Sequence, residues 1–156
     1  MTICKIETFR NDIPIGERLI GLDVGKKTIG LATCDASWQV ATPHSILWRE
    51  KFTPDMEKLF ALIKDEGNIG GMVIGWPLNM DGTTGPRCDS IRDFTHAMLK
   101  LQDFPVVFQD ERLSTAAVER AMVDADMTRQ KRHLRRDALA ATWILQSALD
   151  LMGAMD

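Results

Sequence analysis

Arg18-Leu19-Ile20-Gly21-Leu22-Asp23-Val24-Gly25-Lys26-Lys27-Thr28-Ile29-Gly30-Leu31-Ala32-Thr33-Cys34 decides the fold of this chain. Arg18 to Asp23 is a short apolar run that ends on an acid, as a buried strand does. Gly25-Lys26-Lys27 supplies a turn, and Thr28 to Cys34 is a second strand returning along the first. On the amino-terminal side, residues 1–17 show no periodicity and include Asn11, Asp12, Pro14 and Gly16. They read as a loose leader before a single domain over 18–156.

On the carboxyl-terminal side a third strand is expected near Val40–Trp48, interrupted by Pro43. Thr53 then suits an N-cap with Pro54 at the first helical position. Met56, Leu59, Phe60 and Ile63 form one apolar helix face, closed by Gly67. Gly71–Gly75 reads as a central strand and Pro77–Gly82 as a turn-rich loop. A helix from near Pro86 should turn Ile91, Phe94, Met98 and Leu101 inward. Phe104–Phe108 is another strand, and Ser114 caps a further helix with Val118, Ala121 and Met122 inward. The last helix should run from near Arg136 to about Met152. This order predicts an α/β fold: a mixed five-stranded sheet with an antiparallel hairpin, parallel strands and helices on both faces.

Composition narrows the class. At 156 residues, 45% hydrophobic and 26% charged, the chain is an ordinary globular one, not collagen-like, coiled-coil or disordered. Three cysteines without a CxxC pair support neither a disulfide framework nor a zinc site, and free thiols fit a reducing cytoplasm. No apolar run approaches the ~18 residues of a membrane span. The first residues lack the apolar core of a secretory signal. The net charge is −3, yet Arg129, Lys131, Arg132, Arg135 and Arg136 crowd into eight residues that hold no acid. A basic segment on an acidic body suggests an anionic partner held at one place. Mutual repulsion and a single aliphatic residue, Leu134, predict an open, mobile loop there.

Three acidic positions stand out. Asp23 ends the first strand, Asp110 and Glu111 end Val106–Phe108, and open α/β sheets bind ligands beyond such ends. Asp137 heads a helical stripe continued by Ala141, Ile144, Leu145, Ala148 and Met152. A carboxylate on a core-facing stripe is costly unless it is paired or bound to a metal. Acids from two strand ends and one helix make a hard-oxygen site suited to Mg²⁺ or Mn²⁺. Each acid also has an ordinary reading, as a turn residue, a helix-entry acid or an ion-pair partner. Trp76, between a strand and Pro77, could stack on a base, but a hydrophobic anchor is the stronger expectation.

Four segments together resemble the YqgF family, also called RuvX, of Holliday junction resolvase-like proteins and pre-16S rRNA nucleases. They are Gly21–Ala32, Val73–Gly82, Asp110–Thr115, and Asp137–Ala141 with Ile144-Leu145-Gln146. The resemblance covers about residues 18–151 and implies a ribonuclease H-like fold. It implies that Asp23, Glu111 and Asp137 are the catalytic, metal-binding triad, with Asp110 the lesser partner of Glu111. It also implies metal-dependent hydrolysis of structured nucleic acid: 5′-end maturation of precursor 16S rRNA or cleavage of branched DNA. A reading from another class is a nucleic-acid-binding ribosome assembly factor without turnover, working on assembly intermediates. Lys26, Lys27, Asn79 and Arg112, with the basic segment, are the candidate nucleic-acid contacts. Two departures border the presumed site: Lys26 where a small or hydroxyl residue is usual, and Trp76 where an aliphatic one is usual.

Overall fold

The computed structural model describes residues 3–111 and 129–154, and of residues 129–137 the backbone only. Its elements are β1 (Ile3–Cys4), α1 (Ile6–Phe9), a 3-10 turn (Arg10–Asp12), β2 (Arg18–Val24), β3 (Thr28–Cys34), β4 (Ala41–Trp48), α2 (Phe52–Glu66), β5 (Ile69–Trp76), α3 (Pro86–Leu101), β6 (Val106–Asp110) and α4 (Arg129–Ala154). The helix expected from Ser114, with Val118, Ala121 and Met122, lies outside the described residues, as does Arg112.

The sheet has six strands in the order β1-β6-β5-β2-β3-β4, one more than the sequence predicts. The addition is β1, from the supposedly loose leader, paired in parallel with β6 through Ile3–Val106 and Cys4–Val107. Phe9 and Ile13 of the leader are buried against the sheet. Two anchors and a two-residue strand are too little to leave a periodic signature, which explains the misreading. The hairpin β2–β3 is antiparallel, and β2, β5 and β6 run parallel. β4 forms the far edge, where Pro43 falls at a register shift, the place an edge strand tolerates a missing donor.

Alternation along the strands divides the core in two. Ile20, Leu22, Val24, Met72, Ile74 and Val106 pack with Met56, Leu59, Ile91, Phe94 and Met98 of α2 and α3. Leu19, Ala32, Val73 and Val107 pack with Ala141, Ile144, Leu145, Ala148 and Met152 of α4, the stripe expected from the sequence. On α3, Leu99 is buried and Leu101 exposed, a shift of the predicted face. α2 begins at Phe52, so Thr53 and Pro54 lie inside its first turn. The buried Asp55 carboxylate accepts from the Glu50 N–H at 3.0 and 3.2 Å, which draws the chain into the helix early.

The basic segment corrects a second expectation. Arg129–Arg136 forms the first turns of α4 and is not an open loop. Arg and Lys are good helix formers, and a continuous helix already anchored by its apolar half extends through them at small cost.

Candidate active site at the carboxyl ends of the strands

α4 crosses the hairpin at Gly21. A Cβ there would stand 2.8 Å from Leu145 Cβ and 3.1 Å from the Ala141 carbonyl oxygen, so only glycine admits the helix this close. Asp23, two residues on, lies on the same face and is half-buried. Leu22 is in register with Ile74, so Gly75 on β5 and Asp23 on β2 follow one another's partners at the same level.

Gly75 is where the second acid arrives. The chain leaves β6 at Asp110, the Glu111 N–H donates to the Trp76 carbonyl at 3.2 Å, and the side chain folds back over Gly75. A Cβ at residue 75 would overlap the Glu111 carboxylate and stand 2.7 Å from Ile144 Cδ1. The missing side chain is therefore the seat of the carboxylate. The Glu111 and Asp23 carboxyls thus face one another within hydrogen-bonding reach.

Burial holds the Glu111 carboxyl above its ordinary range, and the neighbouring Asp110 charge pushes the same way. Arg87 and the hydrogen bond to Asp23 pull against them. Arg87 comes from the first turn of α3, its Nη2 3.9 Å from Glu111 Oε1. Two carboxyls in contact cannot both ionise unless a cation joins them, so this pair demands either a proton or a positive charge.

Of the predicted triad, Asp23 and Glu111 are brought together. The Asp137 backbone lies in α4, four residues before Ala141; its side chain is outside the described residues, among which no group of three acids or other metal-ligating side chains gathers. Asp110 ends β6 beside Trp76 and is exposed. Lys26 and Lys27 are exposed on the β2–β3 turn. Asn79 is exposed on the loop after β5, its Nδ2 donating to Thr83 Oγ1 at 3.0 Å. The side chains of Arg129, Lys131, Arg132, Arg135 and Arg136 lie outside the described residues. Trp76 is an anchor: it stacks on Phe108 at 4.5 Å, with the Arg92 guanidinium 5.5 Å from its ring.

Sequence reasoning missed Gly75 and Arg87. An isolated glycine inside an otherwise full apolar strand is itself a signal of close approach, and it was there to be used. Arg87 carried no such signal, because its position depends on how the loop before α3 is folded.

Known proteins resemble this chain along most of its length. The RuvX family, described as Holliday junction resolvase, matches residues 17–151. A protein of Rhodospirillum rubrum named "Putative pre-16S rRNA nuclease" is 48% identical over 153 residues, covering 97% of this chain and 94% of its own. Proteins of the same name from Sphingopyxis alaskensis and Phenylobacterium zucineum are 49% and 50% identical, over 92% and 88% of this chain and 93% and 88% of theirs. Among solved structures, fowlpox virus resolvase with Holliday junction DNA superposes with a TM-score of 0.52 at 10% identity, covering 88% of this chain and 98% of the other. Thermus thermophilus RuvC with its junction substrate gives 0.50 at 15% identity, covering 88% and 96%. At such identities the likeness is one of fold, the ribonuclease H-like arrangement of mixed sheet and flanking helices.

Proposed function

The chain belongs to the RuvX family, and we propose that it is a divalent-metal-dependent nuclease of structured nucleic acid, acting in 5′-end maturation of precursor 16S rRNA. The observation that carries the reading is the Asp23–Glu111 pair: two carboxyls from the ends of β2 and β6, the strands on either side of β5, meeting over Gly75. The donor set fits Mg²⁺ or Mn²⁺. Both groups offer hard oxygen, and the contact between them is relieved by a cation as readily as by a proton.

In this reading Asp23, Glu111 and Asp137 hold the metal. When bound, it supplies an activated water and charge stabilisation at the phosphodiester. The chain's own residues do the rest. The Gly75 seat fixes the Glu111 carboxylate against the sheet, so little reorganisation is needed when substrate arrives. Arg87, within reach of both Glu111 and solvent, offers its fork to a phosphate oxygen. Lys26 and Lys27, with Arg112 and the basic opening turns of α4, draw in the backbone without reading its sequence.

The test is incubation of precursor 16S rRNA and a four-way DNA junction with wild type and Asp23→Asn, in Mg²⁺, Mn²⁺ and chelator. Cleavage of the rRNA precursor by wild type in metal, lost in Asp23→Asn, is the expected result. Cleavage of the junction alone moves the substrate to branched DNA. Equal cleavage by both proteins in chelator removes the metal site, and no cleavage with retained binding leaves an assembly factor.

A further inference from the structure

Beside the acidic pair, on the opposite face of the sheet's end, an open groove of about 490 Å³ runs between the β2–β3 turn and α3. Its walls include Lys26, Arg49, Arg87, Ser90, Asp93 and Phe94. Arg87 is common to the groove and the acidic pair, so the two are contiguous.

The groove is built to an order that phosphate-binding alone does not require. Arg49 is locked: its Nη1 donates to the Gly25 carbonyl at 2.6 Å, and its guanidinium lies 5.4 Å from the centroid of the Phe94 ring. A guanidinium plane braced on an aromatic ring presents a flat, pre-positioned surface, and nucleobases stack on such planes. Phe52 meets Phe94 edge-on at 5.9 Å, which fixes the ring beneath. The groove is also polarised. Arg87 stands at the end nearest the acids, while Asp93 lies six residues further along α3, about 9 Å of helix rise. Lys26 has no ion pair among the described residues. A phosphate is attracted to the first end and repelled from the second. Asp93 and Ser90 suit the N–H and O–H donors of a base or a sugar.

We propose that this groove is a nucleotide subsite, taking the nucleotide next to the scissile phosphate with its base on Arg49 and its phosphate at Lys26 and Arg87. The proposal rests on the nuclease reading, and it adds base stacking to a site otherwise described by its acids and its basic residues. Its volume is in the range of pockets that enclose one small ligand, so it accommodates a single nucleotide and not a duplex.

The experiment measures binding in chelator, where cleavage does not interfere, by anisotropy of a labelled single-stranded oligoribonucleotide. A counterpart with abasic residues keeps the phosphates and removes the bases. Stacking of one base is worth about tenfold or more in affinity. Wild type should bind the abasic strand about tenfold more weakly than the parent. Ser90→Trp, at an exposed helix position and aimed at filling the groove, should bind both strands equally weakly. Arg49→Ala should behave as Ser90→Trp does. Equal binding of both strands by wild type overturns the subsite, as does wild-type affinity for the parent strand in Ser90→Trp and Arg49→Ala. The nuclease reading is judged separately, by metal-dependent cleavage in wild type and its loss in Asp23→Asn.

Discussion

On the face covered by α2 and α3, β2 and β5 present Ile20, Leu22, Val24, Met72 and Ile74; on the face covered by α4 the same strands present Leu19, Gly21, Asp23, Val73 and Gly75. The first set fills space, and all five of its side chains are at most 5% exposed. The second set gives space away. Gly21 admits the backbone of α4, and Gly75 admits the carboxylate of Glu111. One face of the sheet is thus a conventional core, and the other trades packed volume for the placing of charge. Stability resides on the first face and chemistry on the second, a division that single substitutions can test.

The largest effect is expected on the filled face. Leu59 is fully buried in α2, on the face opposite α4, and Leu59→Ala should cost about 2–5 kcal/mol of folding stability. Chemical denaturation measures it. Cleavage per folded molecule should be unchanged; a fall in turnover that tracks the lost stability would show that the two faces are not separable.

Next comes the charge itself. Asp23→Asn should lower cleavage by about 100-fold or more, roughly 2.7 kcal/mol of barrier, since even outer partners of metal ligands commonly cost 10- to 100-fold. Its melting temperature in chelator should not fall, because one of two abutting acids has been neutralised. A marked loss of stability would mean that Asp23 is structural.

Gly75→Ala probes the seat of the second acid. The added methyl meets the Glu111 carboxylate and Ile144 Cδ1, so overpacking should cost about 1–3 kcal/mol. Cleavage should fall further than stability accounts for, since the displaced group is Glu111. A variant that keeps full turnover would show that the seat over Gly75 is incidental.

These faces were unequally legible in the sequence. The filled face announces itself by periodicity, because its buried positions, Asp55 and Thr95 apart, carry apolar side chains; the end of α3 was misjudged, with Leu99 in place of Leu101. On the α4 face the helical stripe and the strand-end acid Asp23 were equally plain. The glycines were not weighed, because an absent side chain leaves no pattern, and Arg87 reaches Glu111 only through a loop whose path no local rule specifies. The basic segment was misread for a different reason. Like charges do repel, but a helix held firmly by Ala138–Met152 extends through them at small cost. The leader was misread because its anchoring rests on Phe9, Ile13 and a two-residue strand, too little to leave a periodic pattern.

The smallest effect is a pH dependence that separates the acidic pair from the core beneath it. Burial is the main cause that holds the Glu111 carboxyl above its ordinary value of 4.5. The folded chain therefore binds this proton more tightly than the unfolded chain does. Protonation favours folding, so the contribution of Glu111 to stability is at its best at and below the ordinary carboxylate range. It is lost as pH rises from there through the raised value. Glu111→Gln removes the titration while leaving a group of similar shape over Gly75. In chelator, the melting temperature of wild type relative to Glu111→Gln should decline as pH is raised from about 4.5 to 8. Adding Mn²⁺ at the upper end should restore wild type and leave Glu111→Gln unmoved, because a ligand that binds only the folded state stabilises it by mass action. Leu59→Ala should run parallel to wild type across the whole range, its deficit being one of volume and not of charge. A constant offset between wild type and Glu111→Gln at every pH would show that Glu111 is ionised in the folded protein without penalty. The contrast between the two faces would then rest on packing alone.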